Sequence, residues 1–371
     1  MKVLFMTNMP SPYRVDFFNE LGKSCDLTVM FERDRDYSRD TRYVADQYKN
    51  FKVEFLKGFA LGDAEAFCPG VIRLLSKKKF DHIIVGNYYS PTGMLAIEYM
   101  CLMHIPYILS SDGGMIKEDR GFKYKLKKHF IGSASSWLST GRMTTDYLAY
   151  YGADREKTTV YPFTSLWKKD ILDKPLTMNE KNTIRQRLGM TENKIVISVG
   201  QFIHRKGYDV LLKASERLNK NIGVYIIGGT PIEEYLQMKE ELNLRRVHFV
   251  DFMNKQALAE YYKAADLFVL PTREDIWGLV VNEAMAYALP VITTTKCIAG
   301  LEMVENGVDG YIIESEDYLE LANKSNYILS QDSQMMCENA LLKAREYTIE
   351  SMAKVHYETL CKIIKSKEQD K

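Results

Sequence analysis

Phe268–Thr294, FVLPTREDIWGLVVNEAMAYALPVITT, is the stretch whose reading decides the fold. It divides into an apolar run FVLP, a charged loop TRED, the segment GLVVNEAMAYAL with apolar positions at helical spacing, and the β-branched run PVITT. In that order a buried parallel strand hands the chain to a helix whose first turn lies over the strand's carboxyl end. Open α/β sheets bind their ligands at that edge.

Two carboxylates bracket the turn, Asp275 and Glu283. On one continuous helix their spacing would mean ~12 Å of rise and roughly 80° of rotation, so they would not share a face. Asp275 therefore belongs to the loop. Trp277, Gly278 and Leu279 are predicted as the helix's first turn, whose free N–H groups and positive end suit a phosphate, with Gly278 allowing close approach. A carboxylate on each side of an anion site matches a nucleotide sugar, with one acceptor for sugar hydroxyls, another for ribose hydroxyls and the diphosphate between. The same spacing also fits an Asp that caps a helix and a solvated Glu along it.

DIWGLVVNEAMAYALPVI resembles the signature of the family 4 glycosyltransferases, an acidic residue, seven residues, then Glu. The resemblance implies an α/β chain of the GT-B fold: two facing Rossmann-like doubly wound domains with an interdomain cleft. It implies that Glu283 binds the donor ribose and that Asp275, where the family usually has Glu, faces the donor hexose. Upstream, VGQFIHRKGYDVLL resembles the family's diphosphate-binding segment at Lys206 and Gly207. Gln201 stands where the family usually has arginine. Arg205 is the candidate to restore that charge, against the tendency of adjacent residues to point apart.

The amino-terminal half repeats the alternation of strand and helix, which predicts a doubly wound parallel sheet. VLFMTN reads as a first strand, and Pro12 suits the first turn of the helix after it. Arg14, at that junction, reads either as a guanidinium on the rim that holds a phosphate or an acceptor hydroxyl, or as a surface arginine on a helix. HIIVGN ends in Asn87, a second acceptor-side candidate, and a helix is predicted over 71–79. PYILSSDGG places Asp112 at a strand end before two glycines, where the family often has a polar residue near the sugars. Its other reading is an Asx turn with Gly113. The charged, Tyr-rich stretch up to Lys57 is poorly patterned and reads as an acceptor-facing insert or a surface loop.

The whole chain bounds these readings. Its 371 residues are long for one core and predict two domains. The expected division is 1–166 as an acceptor-side domain, 167–193 as a linker, 194–346 as the nucleotide-sugar domain and 347–371 as a terminal helix crossing back. A net charge of +1 argues against a nucleic-acid partner. Six scattered cysteines, without metal-ligand spacing, predict reduced thiols in a cytosol-like compartment. The start MKVLFMTNMPSP reads as a strand rather than a signal peptide, and no apolar run is long enough for a membrane span.

In MIKEDRGFKYKLKKHFIG, Lys117, Arg120, Lys123, Lys125, Lys127 and Lys128 outnumber Glu118 and Asp119, while Phe122, Leu126 and Phe130 recur at helical spacing. The 117–130 stretch reads as a domain helix with a solvated basic face, or as a peripheral contact with the anionic inner face of a membrane.

Together these features predict a hexosyltransferase taking sugar from a nucleoside diphosphate donor, UDP first, to a saccharide or lipid-linked saccharide hydroxyl in surface polysaccharide assembly. Retention of anomeric configuration is what the resemblance implies. No cofactor or metal is expected, since no Asp-x-Asp motif stands at the cleft-facing strand ends. Two other readings remain: a catalytically silent GT-B partner subunit, for which Gln201 and Asp275 speak, and a sugar-nucleotide epimerase, which would need a cluster of histidines and carboxylates.

Overall fold

A computed structural model of the chain describes residues 1–35, 47–61, 65–76, 79–117 and 119–369, with side chains to 365. It divides into two compact units, Met1–Ser165 with Tyr347–Lys371, and Leu166–Glu346.

The first unit is built on seven parallel strands: β1 (Lys2–Thr7), β2 (Asp26–Phe31), β3 (Lys52–Phe55), β6 (His82–Val85), β7 (Ile108–Ser110), β8 (Ser136–Ser139) and β9 (Thr158–Val160). Their spatial order is β3-β2-β1-β6-β7-β8-β9. A short antiparallel pair, β4 (Phe59–Leu61) and β5 (Glu65–Phe67), stands apart from the sheet. Between the strands run α1 (Pro12–Leu21), α2 (Pro91–Leu102), α3 (Gly121–Gly132) and α4 (Arg142–Tyr150). β1 and β6 are buried along nearly their whole length, as parallel strands covered on both faces must be. The core packs Leu4, Met6, Val85, Ile97, Leu109 and Trp137, and each such side chain contributes about 1.5–3 kcal/mol by leaving water.

The second unit repeats the plan with β10 (Lys194–Val199), β11 (Ile222–Ile227), β12 (Val247–Val250), β13 (Leu267–Leu270), β14 (Val291–Thr294) and β15 (Gly310–Ile313), ordered β12-β11-β10-β13-β14-β15. Its helices are α5 (Met178–Leu188), α6 (Tyr208–Ser215), α7 (Glu233–Glu241), α8 (Lys255–Ala264), α9 (Leu279–Ala286), α10 (Ile298–Met303), α11 (Tyr318–Ser330) and α12 (Gln334–Glu346). In each sheet the strand order reverses beside the first strand, between β1 and β6 and between β10 and β13. The carboxyl edge at such a switch point is open, because the flanking connections leave in opposite directions.

The structure revises several local expectations. The stretch 167–193 is not a bare linker: α5 starts with a Thr177–Glu180 capping box, ends on left-handed Gly189 and packs on α8. Buried Arg185 and Lys181 on α5 both reach Asp266, at 2.7 and 3.2 Å. The helix expected over 71–79 is a 3-10 segment, Pro69–Leu74, and residues 77–78 lie outside the described set. Residues 36–46 of the Tyr-rich stretch also lie outside it, and the end of that stretch forms β3.

The basic segment forms a helix only from Gly121, and its apolar stripe splits. Phe130 is buried and Leu126 packs on the core, whereas Phe122 is 79% exposed. Lys127 and Lys123 both pair with Asp119, so part of the cationic face is neutralised.

The terminal helix α13 (Ile349–Gln369) belongs to the first unit and packs on α1. It buries Ile349, Met352, Ala353, His356 and Leu360 along one face, the period of a helix lying on a core. It runs to Gln369. Among the described residues no helix is long and apolar enough to cross a membrane.

Candidate functional site

The switch point of the second unit lies where β10 and β13 end. After β10, residues His204–Lys206 form one turn of 3-10 helix, and Gly207 closes it with φ of 68°. A side chain at Gly207 would put Cβ 2.0 Å from the Pro271 carbonyl oxygen, so only glycine lets this turn lie against the end of β13. Hydrogen bonds stitch the two connections together. The Arg273 N–H and the Thr272 hydroxyl donate to the Arg205 carbonyl at 2.8 and 2.9 Å. The Arg205 guanidinium donates to the Glu274 carbonyl at 2.7 Å.

Arg273 fixes the same turn from outside. It donates to the His204 carbonyl at 2.7 Å and to both oxygens of Asp209, and pairs with Glu316 at 2.5 Å.

The two basic residues of the turn meet on one carboxylate. Lys206 Nζ lies 2.5 Å from Asp275 Oδ2 and Arg205 Nη1 lies 3.5 Å from Oδ1. Adjacent residues were expected to point apart. They converge because the Lys206 stem packs against Gly200 while the Arg205 guanidinium is anchored on Glu274. Asp275 is 9% exposed and does not cap α9, whose amino end has no side-chain cap. Its backbone is pinned to the β14–α10 connection, donating to Lys296 O at 2.9 Å and accepting from Ile298 N at 3.2 Å.

Helix α9 begins at Leu279, not at Trp277. Gly278 is its N-cap, with φ of 104°, where a Cβ would meet the Cys297 sulfur at 2.8 Å. Trp277 instead buries its indole and donates to Asn282 Oδ1 at 2.9 Å. The uncapped end leaves the N–H groups of Leu279 and Val280 as donors for an anion, while Val281 N already donates to Gly278 O at 2.8 Å. Glu283 lies further along α9, half-buried, and accepts from Tyr262 Oη at 3.2 Å, so it is not a freely solvated helix residue. Burial, and then the Glu283 carboxylate, push the Tyr262 phenol well above its usual range, so it stays a donor. Gln201 is exposed at the end of β10 and brings no charge.

In the first unit the corresponding edge carries a different set. Arg14, on α1, is 3% exposed and forms an ion pair with Asp112 beyond β7, so it is neither a rim residue nor a surface arginine. The faces of Phe5, Tyr13 and Phe163 lie within 5.9 Å of its guanidinium. Burial opposes its charge, but the Asp112 carboxylate together with the Tyr13 and Tyr161 oxygens outweighs that, and its pKa is raised. Tyr161 Oη donates to the same Asp112 oxygen, Oδ1, at 3.2 Å. The Asp112 side chain is 34% exposed, and the turn bond to Gly113 O comes from Ser111 Oγ at 3.0 Å.

Asn87 is turned inward. It is 1% exposed and donates to Glu32, as does Ser90, while Ala66 N donates to the other Glu32 oxygen at 3.2 Å. Burial raises the Glu32 pKa. Asn87 therefore stabilises a buried acid and does not face an acceptor.

The structure thus joins Arg205 and Lys206 on Asp275, in the connection that leads to Gly278 and Leu279, and separately joins Arg14 to Asp112. Sequence reading missed Glu32, Tyr161, Tyr262 and Arg273. Only Glu32 left a signal, an acid directly after the apolar strand DLTVMF. Asp34 and Asp36 also have Asp-x-Asp spacing shortly after β2, contrary to the expectation that no strand end would carry it; Asp36 lies outside the described residues.

Comparison with known proteins adds a family match over part of the chain. Residues 180–348 match glycosyl transferases group 1. A D-inositol 3-phosphate glycosyltransferase of Xylanimonas cellulosilytica is 27% identical over 291 residues, 73% of this chain and 69% of the relative. The lipopolysaccharide glucosyltransferase WaaG of Escherichia coli is 25% identical over 201 residues, 49% of this chain and 53% of that protein. The crystal structure of Anabaena HepE in complex with UDP superposes with a TM-score of 0.77 at 18% identity, covering 98% of this chain and 100% of that one. That likeness establishes the GT-B fold of this chain.

Proposed function

We propose, from the match of residues 180–348 to glycosyl transferases group 1, that the chain moves a hexose-type sugar from a nucleoside diphosphate donor to a saccharide or lipid-linked saccharide hydroxyl, with retention. The observation that carries the reading is the convergence of Lys206 and Arg205 beside the uncapped amino end of α9. Two cations and free N–H groups in one place suit a departing diphosphate, as preorganised electrostatics. In the reaction the anomeric C–O bond to the diphosphate breaks and the acceptor oxygen bonds to that carbon. The acceptor's proton leaves with the phosphate oxygen.

Glu283 accepts hydrogen bonds from the donor ribose, Asp275 from the donor sugar, and Asp112 receives the acceptor. UDP is the first candidate nucleotide, supported by HepE, which was crystallised with UDP. A saccharide acceptor in surface glycoconjugate assembly is supported by WaaG, named for lipopolysaccharide. The reading includes no metal, since Lys206 and Arg205 supply the positive charge; transfer is expected to persist in EDTA.

It also includes a peripheral membrane contact in the cytoplasm through 117–130, where Phe122 and Ile116 stand exposed among lysines. Sedimentation with anionic vesicles checks this. Phe122→Ser is expected to weaken it.

The direct test is thermal stabilisation by a panel of UDP-, GDP-, ADP- and CMP-sugars, repeated on Glu283→Ala. One donor that stabilises the wild type and loses its effect in the variant supports the reading. No stabilisation by any donor contradicts it.

A further inference from the structure

We propose that Asp275 is an internal anion that competes with the donor's diphosphate for Lys206 and Arg205, and so sets how tightly the nucleotide is held. The inference rests on the donor-site reading above and deepens it.

The geometry points this way from three sides. Lys206 is not free for a ligand, because its ammonium lies 2.5 Å from Asp275 Oδ2 and both side chains are only 12% exposed. Arg205, 43% exposed, closes on the other oxygen at 3.5 Å. The Asp275 backbone is fixed by Lys296 and Ile298, so the carboxylate leaves the cations by rotation of its short side chain rather than by movement of its backbone.

A single carboxylate facing two cations leaves the cluster with net positive charge. A diphosphate brings more negative charge and more acceptor oxygens, so it outcompetes the carboxylate and turns Asp275 loose toward the donor sugar. After transfer the carboxylate returns to Lys206 and helps expel the nucleotide. Asp275 thereby lowers product affinity, a useful property where product release limits turnover.

Removing the carboxylate charge strands a nearly buried ammonium, and an incoming polyanion would then relieve that cost. The probe is inorganic pyrophosphate, titrated calorimetrically into wild type, Asp275→Asn, Lys206→Gln and the double variant. Asp275→Asn is expected to bind pyrophosphate about tenfold more tightly than wild type, and the gain should vanish in the Lys206→Gln background. Asp275→Glu keeps the charge and is expected to stay at wild-type affinity, which preserves the test if Asp275→Asn does not fold.

Equal or weaker binding by Asp275→Asn, a gain that persists without Lys206, or a tenfold gain in Asp275→Glu overturns the inference and leaves the donor-site reading standing. A wild type that binds a nucleotide sugar but no pyrophosphate does the same. A wild type that binds neither overturns both.

Discussion

Arg14 and Asp112, 98 positions apart, form an ion pair in which the guanidinium is sealed from solvent and the carboxylate stays one-third exposed. The arginine's Nη1 is buried without a hydrogen-bond partner, so Asp112 is its main compensation. Asp112→Asn should therefore destabilise the protein by about 3 kcal/mol, because it leaves a buried charge unpaired. Adding Arg14→Met should restore most of the loss. Urea unfolding of the single and double variants checks this, and a double variant no better than Asp112→Asn would contradict it.

His356 makes the first unit sensitive to acid. It is fully buried on α13 between the rings of Phe17 and Tyr161, with its Nδ1 hydrogen donated to Met352 O at 2.8 Å. Burial, with the Arg14 charge nearby, lowers its pKa to about 3. In the unfolded chain it takes up its proton near pH 6.5. Between those values the unfolded state binds more protons, so the stability contributed by neutral His356 is complete above pH 6.5 and is lost as pH falls toward 3. At pH 5 the loss should be about 2 kcal/mol relative to pH 7.5. His356→Phe should flatten that part of the curve, measured by unfolding at both pH values.

Arg185 ties α5 into the second unit. It donates to Asp266 at 2.7 Å and to the carbonyls of Ala264 and Asn193 at 2.9 and 2.8 Å, and is 3% exposed. Arg185→Leu should cost roughly 3–5 kcal/mol, since Asp266 keeps only Lys181 and the Ile195 N–H as partners. Nucleotide affinity should be unchanged below the melting transition. A wild-type melting temperature in this variant would mean that the Arg185–Asp266 pair does not stabilise the unit.

How much of this was legible in the sequence follows from the range of each interaction. Strand and helix alternation, the loop position of Asp275 and the basic turn before Gly207 are local patterns, and composition and period report them. The partnership of Lys206 with Asp275 joins residues 69 apart, and that of Arg14 with Asp112 spans 98. Neither leaves a local trace.

Asn87 misled for the same reason. A polar residue at a strand end normally faces the ligand edge, but here Glu32, 55 positions earlier, draws it inward. The charges of α5 looked like those of a linker because their partner, Asp266, lies some 80 positions away.

The central claim is that the carboxyl edge of β10 and β13 receives a nucleotide sugar's diphosphate. The measurement that tests it most directly is the affinity of the best stabilising nucleotide sugar for wild type and Lys206→Gln at fixed ionic strength. Loss of a charged partner at a desolvated contact predicts binding weaker by about thirtyfold or more in the variant. Equal affinity in the two proteins would contradict the claim and remove the diphosphate from this turn.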